Sequence, residues 1–156
     1  MRISVVGMKG GVAKSQTAWH LAAYLQKIAP TLLCDGDLNK SLIEMNQRGD
    51  GAPFAVVDAK HARKYAPKFT HVVVDTAARP SNAELEDLKH SDLIVVPTPP
   101  DAISLAALLH TITALREIGA QRFKILLTLV PPRPSRDGDE AREVLEANKL
   151  PVFDGV

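Results

Sequence analysis

Short apolar runs rich in β-branched residues alternate along the chain with segments whose apolar positions recur every three or four residues. The short runs predict strands, and the recurring positions predict amphipathic helices. We expect strands at 3–6, 31–34, 54–57, 71–74, 93–96 and 123–130, with a last strand starting at 151–153. We expect helices at 14–28, 59–65, 83–90, 102–118 and 136–148.

The alternation of these elements predicts an α/β fold, in which a mostly parallel sheet carries helices on both faces. Continuous apolar strands such as 71–74 suit a sheet that is buried on both faces. Ligands of such sheets bind at the carboxyl ends of the strands. Polar residues that directly follow a strand are therefore the first candidates for chemistry.

The composition fits one soluble globular domain, because the 156 residues are 46% hydrophobic and 24% charged. The net charge is +1, so any contact with nucleic acid must come from a local patch. Cys34 is the one cysteine, which excludes an intrachain disulfide. No apolar run approaches the ~20 residues that span a bilayer. The first residues form a strand pattern rather than a signal peptide, so we expect a cytoplasmic protein without a membrane partner.

The strongest motif lies between the first strand and the first helix and reads Lys9-Gly10-Gly11-Val12-Ala13-Lys14-Ser15. Its glycines allow backbone N–H groups to turn toward phosphate oxygens, and the start of the following helix also attracts an anion. In a phosphate loop Lys14 would reach the β- and γ-phosphates, and Ser15 would place its hydroxyl on Mg²⁺. The general Walker A pattern needs glycine where Met8 and Ala13 stand, so the plain motif is not matched.

The sequence instead resembles the deviant Walker A motif of the ParA/MinD family of P-loop ATPases, which usually read KGGVGKTT. Its layout is most similar to short plasmid-type ParA partition ATPases. The resemblance implies a P-loop NTPase fold that binds ATP or ADP and Mg²⁺. It also implies that Lys9 is a signature lysine, which reaches the partner's phosphates in an ATP-bound homodimer. The expected nucleotide contacts are Lys9, Gly10, Gly11, Val12, Ala13, Lys14, Ser15 and Gln16, with Pro131 where the family lines the base.

Two of these positions depart from the family pattern. Ala13 adds a methyl group where the backbone approaches a phosphate closely, and we expect this to weaken nucleotide binding. Gln16 replaces a threonine that usually helps to hold the α-phosphate. A nucleotide-binding module without turnover is therefore one alternative to an active ATPase.

Carboxylates follow two of the predicted strands. Asp35-Gly36-Asp37 is similar to the family's DxDPQ switch segment, although such a tripeptide taken alone is more often a turn. By resemblance, Asp35 lies near Mg²⁺ and Asp37 orients or activates the attacking water. Asp75 ends a strand that resembles Walker B, and would hold Mg²⁺ through a water. The resemblance thus makes Lys9, Lys14 and Asp37 the catalytic residues, and Ser15, Asp35 and Asp75 the metal site.

Basic residues cluster near the short helix predicted at 59–65, namely Lys60, His61, Arg63, Lys64 and Lys68. Arg133 and Arg136 flank a proline-rich loop, where similar family residues contact DNA. Such clusters can bind DNA phosphates, but they are also typical of a solvated helix face. The sequence leaves both interpretations open.

The resemblance covers nearly the whole chain and implies a single domain over residues 1–156. Family members normally continue with C-terminal helices after the segment that matches 151–153, which this chain would lack. The leading hypothesis is a Mg-ATP-dependent dimerisation switch with slow, partner-stimulated hydrolysis in plasmid or chromosome partition. It would act with a ParB-like or other adaptor protein and with nonspecific DNA, in the cytoplasm or on the nucleoid. The alternatives are a ParA-like positioner of another cargo and a P-loop ligase or kinase-like enzyme.

Overall fold

The computed structural model describes residues 1–48, 51–78 and 80–154, so the last two residues of the expected 1–156 domain lie outside the described part. Six strands form one all-parallel sheet in the order β3-β2-β4-β1-β5-β6. The strands are β1 Arg2–Val5, β2 Thr31–Asp35, β3 Ala55–Asp58, β4 His71–Asp75, β5 Leu93–Thr98 and β6 Phe123–Leu127. The α/β fold predicted from the sequence is confirmed.

Helices cover both faces of the sheet. They are α1 Lys14–Gln26, α2 Ser41–Gln47, α3 Ala62–Tyr65, α4 Asn82–Asp87, α5 Ala102–Glu117 and α6 Asp137–Ala147. One apolar core lies between the sheet and α1 and α2, and the other packs α5 and α6 against the opposite face. No helix of the described residues is long and apolar enough to cross a membrane.

The register of the central strands brings their polar ends together. Asp75 at the end of β4 pairs with Val5 of β1 on one side and with Asp35 of β2 on the other. Asp58 ends β3 and pairs in turn with Asp35. Because all the strands run in the same direction, these carboxylates and the loop after β1 meet at one edge of the sheet.

The second helix was not predicted from the sequence. Helix α2 begins at Ser41, directly after the segment that carries Asp35 and Asp37. The Asp35 carboxylate accepts hydrogen bonds from the backbone N–H groups of Leu42 and Ile43, both at 3.1 Å. This carboxylate therefore stabilises the start of α2 from six residues before it, a distance at which sequence patterns for helix caps give no signal.

Several predicted boundaries differ from the structure. The helix expected at 59–65 is a succession of 3₁₀ turns around α3 that continues to Lys68. The strand expected at 93–96 extends to Thr98, and the strand expected at 123–130 ends at Leu127. Strand β6 stops early because Leu129 has a φ of 51°, which breaks the extended backbone. The strand expected at 151–153 is a single bridge between Val152 and Ile125.

Candidate functional site

The loop between β1 and α1 presents free backbone donors to the carboxyl edge of the sheet. Helix α1 begins at Lys14, and Ala13 before it offers no side-chain cap. The first turn of α1 contains no acidic residue. The N–H groups and the positive dipole end of α1 are therefore available to an anion, as a phosphate-binding loop requires.

The backbone of this loop visits the left-handed region twice. Gly11 has a φ of 75°, which glycine adopts at no steric cost. Ala13 has a φ of 66°, where an alanine costs roughly 1–2 kcal/mol relative to the right-handed region. The sequence suggested that the Ala13 methyl group matters for its closeness to phosphate. The structure adds that the backbone conformation at this position also favours glycine.

Lys14 is 8% exposed and lies between the loop and two carboxylates. Its Nζ donates to the main-chain oxygen of Lys9 at 3.2 Å, which folds the loop around it. Burial lowers the pKa of Lys14, whereas the negative charges of Asp75 and Asp37 oppose that shift. The ammonium group is thus held at the centre of the loop and faces the edge of the sheet where the carboxylates lie.

Asp75 is fully buried and has one carboxylate oxygen without a partner. The Ser15 hydroxyl donates to its Oδ2 at 2.6 Å, while Oδ1 has no hydrogen bond within the described residues. Burial raises the pKa of Asp75 to about 6, although the Ser15 hydrogen bond and Lys14 oppose the shift. A buried carboxylate with a free oxygen beside a serine hydroxyl fits a hard divalent cation, because magnesium prefers oxygen ligands.

Asp35 is also fully buried, but its carboxylate is already engaged. Its Oδ1 accepts from the backbone N–H of Asp37 at 3.1 Å, and its Oδ2 accepts the two donors at the start of α2. In this structure Asp35 therefore organises the loop that follows β2. Its expected place near Mg²⁺ stays a prediction.

Asp37 is half-buried and lies in the loop between Asp35 and α2. Its Oδ1 accepts from the backbone N–H of Asn39 at 3.1 Å, in a local turn. Its charge acts on both Lys14 and Asp75, so it belongs to the same electrostatic cluster. The structure thus brings Lys14, Ser15, Asp35, Asp37 and Asp75 together.

Lys9 points away from this cluster toward the start of α5. Its Nζ donates to the Ser104 hydroxyl at 2.7 Å and lies 3.8 Å from Asp101 Oδ1. Asp101 caps α5 by accepting from the Ser104 N–H, and its Oδ2 accepts from the Ser104 hydroxyl. The hydroxyl hydrogen bond, followed by the N–H hydrogen bond, holds the pKa of Asp101 below its ordinary value. Neither Asp101 nor Ser104 was predicted from the sequence, although an aspartate directly before an apolar helical pattern is an N-cap signal.

The remaining predicted contacts lie around the loop. The Thr128 hydroxyl donates to the main-chain oxygen of Val12 at 3.1 Å, which joins the end of β6 to the loop. Pro131 is half-buried and lines a cavity of about 300 Å³. Gln16 is exposed, and its amide pairs with His20 at 2.6 Å. The base contact of Pro131 and the phosphate contact of Gln16 stay predictions.

Comparison with known proteins gives a family for this arrangement. The model of the CobQ/CobB/MinD/ParA nucleotide binding domain matches residues 3–156. The maintenance of carboxysome distribution protein A of Gloeobacter kilaueensis is 31% identical over 159 aligned positions, which cover 97% of this chain and 74% of that protein.

Solved structures share the fold at low sequence identity. A Cyanothece McdA complex with ATP has a TM-score of 0.75 at 13% identity, covering 97% of this chain and 81% of that one. A plasmid partition protein from Borrelia burgdorferi bound to AMPPNP has a TM-score of 0.72 at 17% identity, covering 93% and 80%. Cobyrinic acid a,c-diamide synthase from Mycobacterium smegmatis, with an ATP analogue and magnesium, has 0.73 at 19% identity, covering 99% and 82%.

Proposed function

Because the chain belongs to the CobQ/CobB/MinD/ParA nucleotide-binding family, we propose that it binds Mg-ATP at the carboxyl edge of its sheet and hydrolyses it slowly. The observation that carries this proposal is Asp75. This buried carboxylate keeps one oxygen free and is hydrogen-bonded to Ser15 at the start of α1. Relatives with ATP, ADP or AMPPNP and magnesium support the choice of ligand.

Each residue of the cluster has a role in this proposal. The backbone N–H groups of the loop and the Lys14 ammonium group hold the β- and γ-phosphates. Ser15 and Asp75 hold Mg²⁺, and Asp35 lies near it. Bound Mg²⁺ supplies positive charge that stabilises the negative charge developing on the phosphate oxygens. Asp37 accepts a hydrogen bond from the attacking water and orients it for in-line displacement.

Lys9 distinguishes a dimerisation switch from an ordinary P-loop enzyme. In the monomer its ammonium group bonds to Ser104, so it makes no use of the phosphate cluster of its own chain. We propose that ATP favours a homodimer in which Lys9 leaves Ser104 and contacts the phosphates of the partner. Hydrolysis then releases the dimer. A ligase or kinase-like enzyme gives this lysine no comparable role.

The switch would position a cargo with the help of an adaptor protein, which is ParB-like in plasmid or chromosome partition. The similarity to a carboxysome distribution protein supports a second candidate, the positioning of a cargo other than DNA. Both functions use nonspecific DNA as the track, and the exposed cations at 59–68 are the proposed contact surface. The protein would then act in the cytoplasm and on the nucleoid.

Replacement of Asp37 tests the hydrolysis step. We expect Asp37→Ala to lower steady-state ATP hydrolysis about 10²–10⁴-fold, since it removes the group that orients the water. Nucleotide affinity should remain close to that of the wild type, because Asp37 is not a proposed phosphate ligand. The assay measures phosphate release with Mg²⁺, with and without duplex DNA. Faster ATP hydrolysis by the wild type in the presence of DNA would support the proposed binding of nonspecific DNA.

The controls separate the alternatives. Glu117→Ala removes an exposed carboxylate at the last residue of α5, which leads away from the carboxyl edge to the start of β6, and should leave turnover unchanged. A wild type that binds ATP without turnover would favour the binding module, and turnover only with an added acceptor would favour the ligase or kinase-like enzyme. Equal rates for Asp37→Ala and wild type would remove Asp37 from the mechanism.

Sedimentation tests the role of Lys9. We expect the wild type to be a monomer without nucleotide and a dimer with Mg-AMPPNP, whereas Lys9→Ala should remain a monomer in both states. The reason is that the substitution removes the charge that bridges the two nucleotide sites. Lys27→Ala, an exposed change after α1, serves as the matched control and should dimerise. A wild type that binds the nucleotide and stays monomeric would rule out the switch.

A further inference from the structure

A salt bridge outside the expected nucleotide ligands connects the Asp37 loop to the edge of the sheet. The Lys40 Nζ donates to the main-chain oxygen of Asp35 at 3.2 Å and lies 3.1 Å from Asp58 Oδ2. Asp35 and Asp58 are the last residues of β2 and β3 and pair in register. Lys40 therefore fixes its own loop to the ends of two neighbouring strands.

The backbone of Lys40 is hydrogen-bonded to that of Asp37. The Lys40 N–H donates to the main-chain oxygen of Asp37 at 3.2 Å, which closes a tight turn between them. Lys40 has a φ of 52°, a left-handed conformation that a lysine adopts only where its surroundings hold it. Its side chain is 29% exposed and that of Asp58 is 23% exposed, so water screens the pair less than a fully exposed one. One tight turn therefore separates Asp37 from the residue that makes the salt bridge.

The Asp58 carboxylate holds a second element with its other oxygen. Its Oδ1 accepts from the backbone N–H of Lys60 at 2.9 Å, which caps the first turn after β3. This hydrogen bond, followed by the contact with Lys40, holds the pKa of Asp58 below its ordinary value. One side chain therefore binds Lys40 through Oδ2 and the chain after β3 through Oδ1.

The chain after β3 is strongly basic. We name residues 59–68 the basic segment, and its five exposed basic side chains are Lys60, His61, Arg63, Lys64 and Lys68. It begins at the residue that follows Asp58, so the orientation of its first turn depends on that carboxylate. The basic segment thus shares one anchor with the loop that carries Asp37.

We propose that Lys40 is a positioning residue that transmits the nucleotide state of the Asp37 loop to the basic segment through Asp58. The inference rests on the proposed function, since it requires that phosphates bind beside Asp37. Asp37 acts electrostatically on Lys14 and Asp75, so a polyphosphate placed among these groups changes the forces on Asp37. The turn to Lys40 and the salt bridge carry that change to Asp58 and the basic segment.

Hydrogen exchange measured by mass spectrometry tests the connection. We expect Mg-AMPPNP to change amide exchange in the basic segment of the wild type by about threefold or more. In Lys40→Asn this change should disappear, because the salt bridge to Asp58 is lost. Asparagine is chosen because it tolerates the left-handed backbone at this position. Asp58→Asn should behave alike, because its amide oxygen still caps Lys60 while the ion pair is lost. Lys40→Arg should restore the response.

Binding is measured separately with a fluorescent mant-ATP analogue, and the exchange of residues 9–15 serves as an internal reference. We expect all variants to bind the analogue within about threefold of the wild type, since none of the substituted residues is a proposed ligand. Lys27→Asn is the matched surface control and should respond like the wild type. A nucleotide response that persists in both Lys40→Asn and Asp58→Asn would overturn the inference. So would a wild type that binds the analogue without a response in the basic segment, whereas absence of binding would overturn the proposed function as well.

Discussion

Asp75→Asn should stabilise the metal-free protein while lowering its ATP hydrolysis by about 100-fold or more. The wild-type carboxylate is buried with a pKa of about 6, against an ordinary value of 3.8, because burial disfavours its charge. A folded-state pKa raised in this way gives stability below pH 3.8 that is lost as the pH rises through 6. The shift corresponds to about 3 kcal/mol, and a neutral amide of the same shape avoids that cost.

Urea unfolding in EDTA measures the stability part of this prediction. At pH 8 the free energy of unfolding of Asp75→Asn should exceed that of the wild type by up to about 3 kcal/mol. At pH 4 the two should differ little, since the wild-type carboxyl group is then largely protonated in the folded state. The lowered pKa values of other carboxyl groups affect both proteins and cancel in the difference. A variant less stable than the wild type at pH 8 would contradict the argument.

Turnover should change in the opposite direction. Without a carboxylate to hold Mg²⁺, we expect ATP hydrolysis by Asp75→Asn to fall by about 100-fold or more. Phosphate release at saturating Mg²⁺ measures this loss. Opposite effects on stability and on activity are expected when a buried charge is needed for function but lowers the free energy of unfolding of the metal-free protein. Full activity of the variant would remove Asp75 from the metal site.

Gly36→Ala should destabilise the protein, whereas Gly10→Ala in the loop before α1 should not. The Gly36 N–H donates to the main-chain oxygen of Asp75 at 2.8 Å. A Cβ atom at Gly36 would lie 2.4 Å from that same oxygen, and backbone atoms cannot yield as a flexible side chain does. The chain after β2 would have to move away from β4, at a cost of about 2–3 kcal/mol.

Urea unfolding of Gly36→Ala and Gly10→Ala gives a matched comparison. A Cβ atom at Gly10 meets nothing within 4 Å, so the second variant should keep the stability of the wild type. Gly36→Ala should also impair turnover, because the displaced segment carries Asp37. A free energy of unfolding within about 0.5 kcal/mol of the wild type for Gly36→Ala would show that the contact relaxes without cost.

Much of the fold could be predicted from the sequence because its signals are local. Short β-branched runs such as Val72 to Val74 favour strands, and their alternation with amphipathic helices leaves few topologies other than a parallel sheet. The short helix α2 was not predicted because the side chain that caps it, Asp35, lies six residues before the first residue of the helix. Boundaries at Leu127 and Lys68 also differed, since single backbone conformations decide where an element ends.

The sequence predicted that Lys14, Ser15, Asp37 and Asp75 lie at one edge of the sheet, and the structure places them there, whereas their roles stay predictions and their contacts were not predicted. The order of the loop, Asp37 and Asp75 along the chain predicted a phosphate-binding edge, because strands that run parallel bring such residues together. The sequence does not show that Asp35 is saturated by backbone donors, or that Asp75 keeps a free oxygen. Those facts depend on how the loop after β2 packs against the end of β4.

The sequence by itself determined the α/β fold, the family resemblance and the residue types that follow the central strands, since each depends on near neighbours and their spacing. Only the tertiary structure decided where Lys9 and Lys40 point. Lys9 donates a hydrogen bond to Ser104, which is 95 positions away in the chain, and Lys40 forms a salt bridge with Asp58 at the end of β3. Long cationic side chains reach many partners, and the packing of distant elements alone selects which carboxylate or hydroxyl lies within reach.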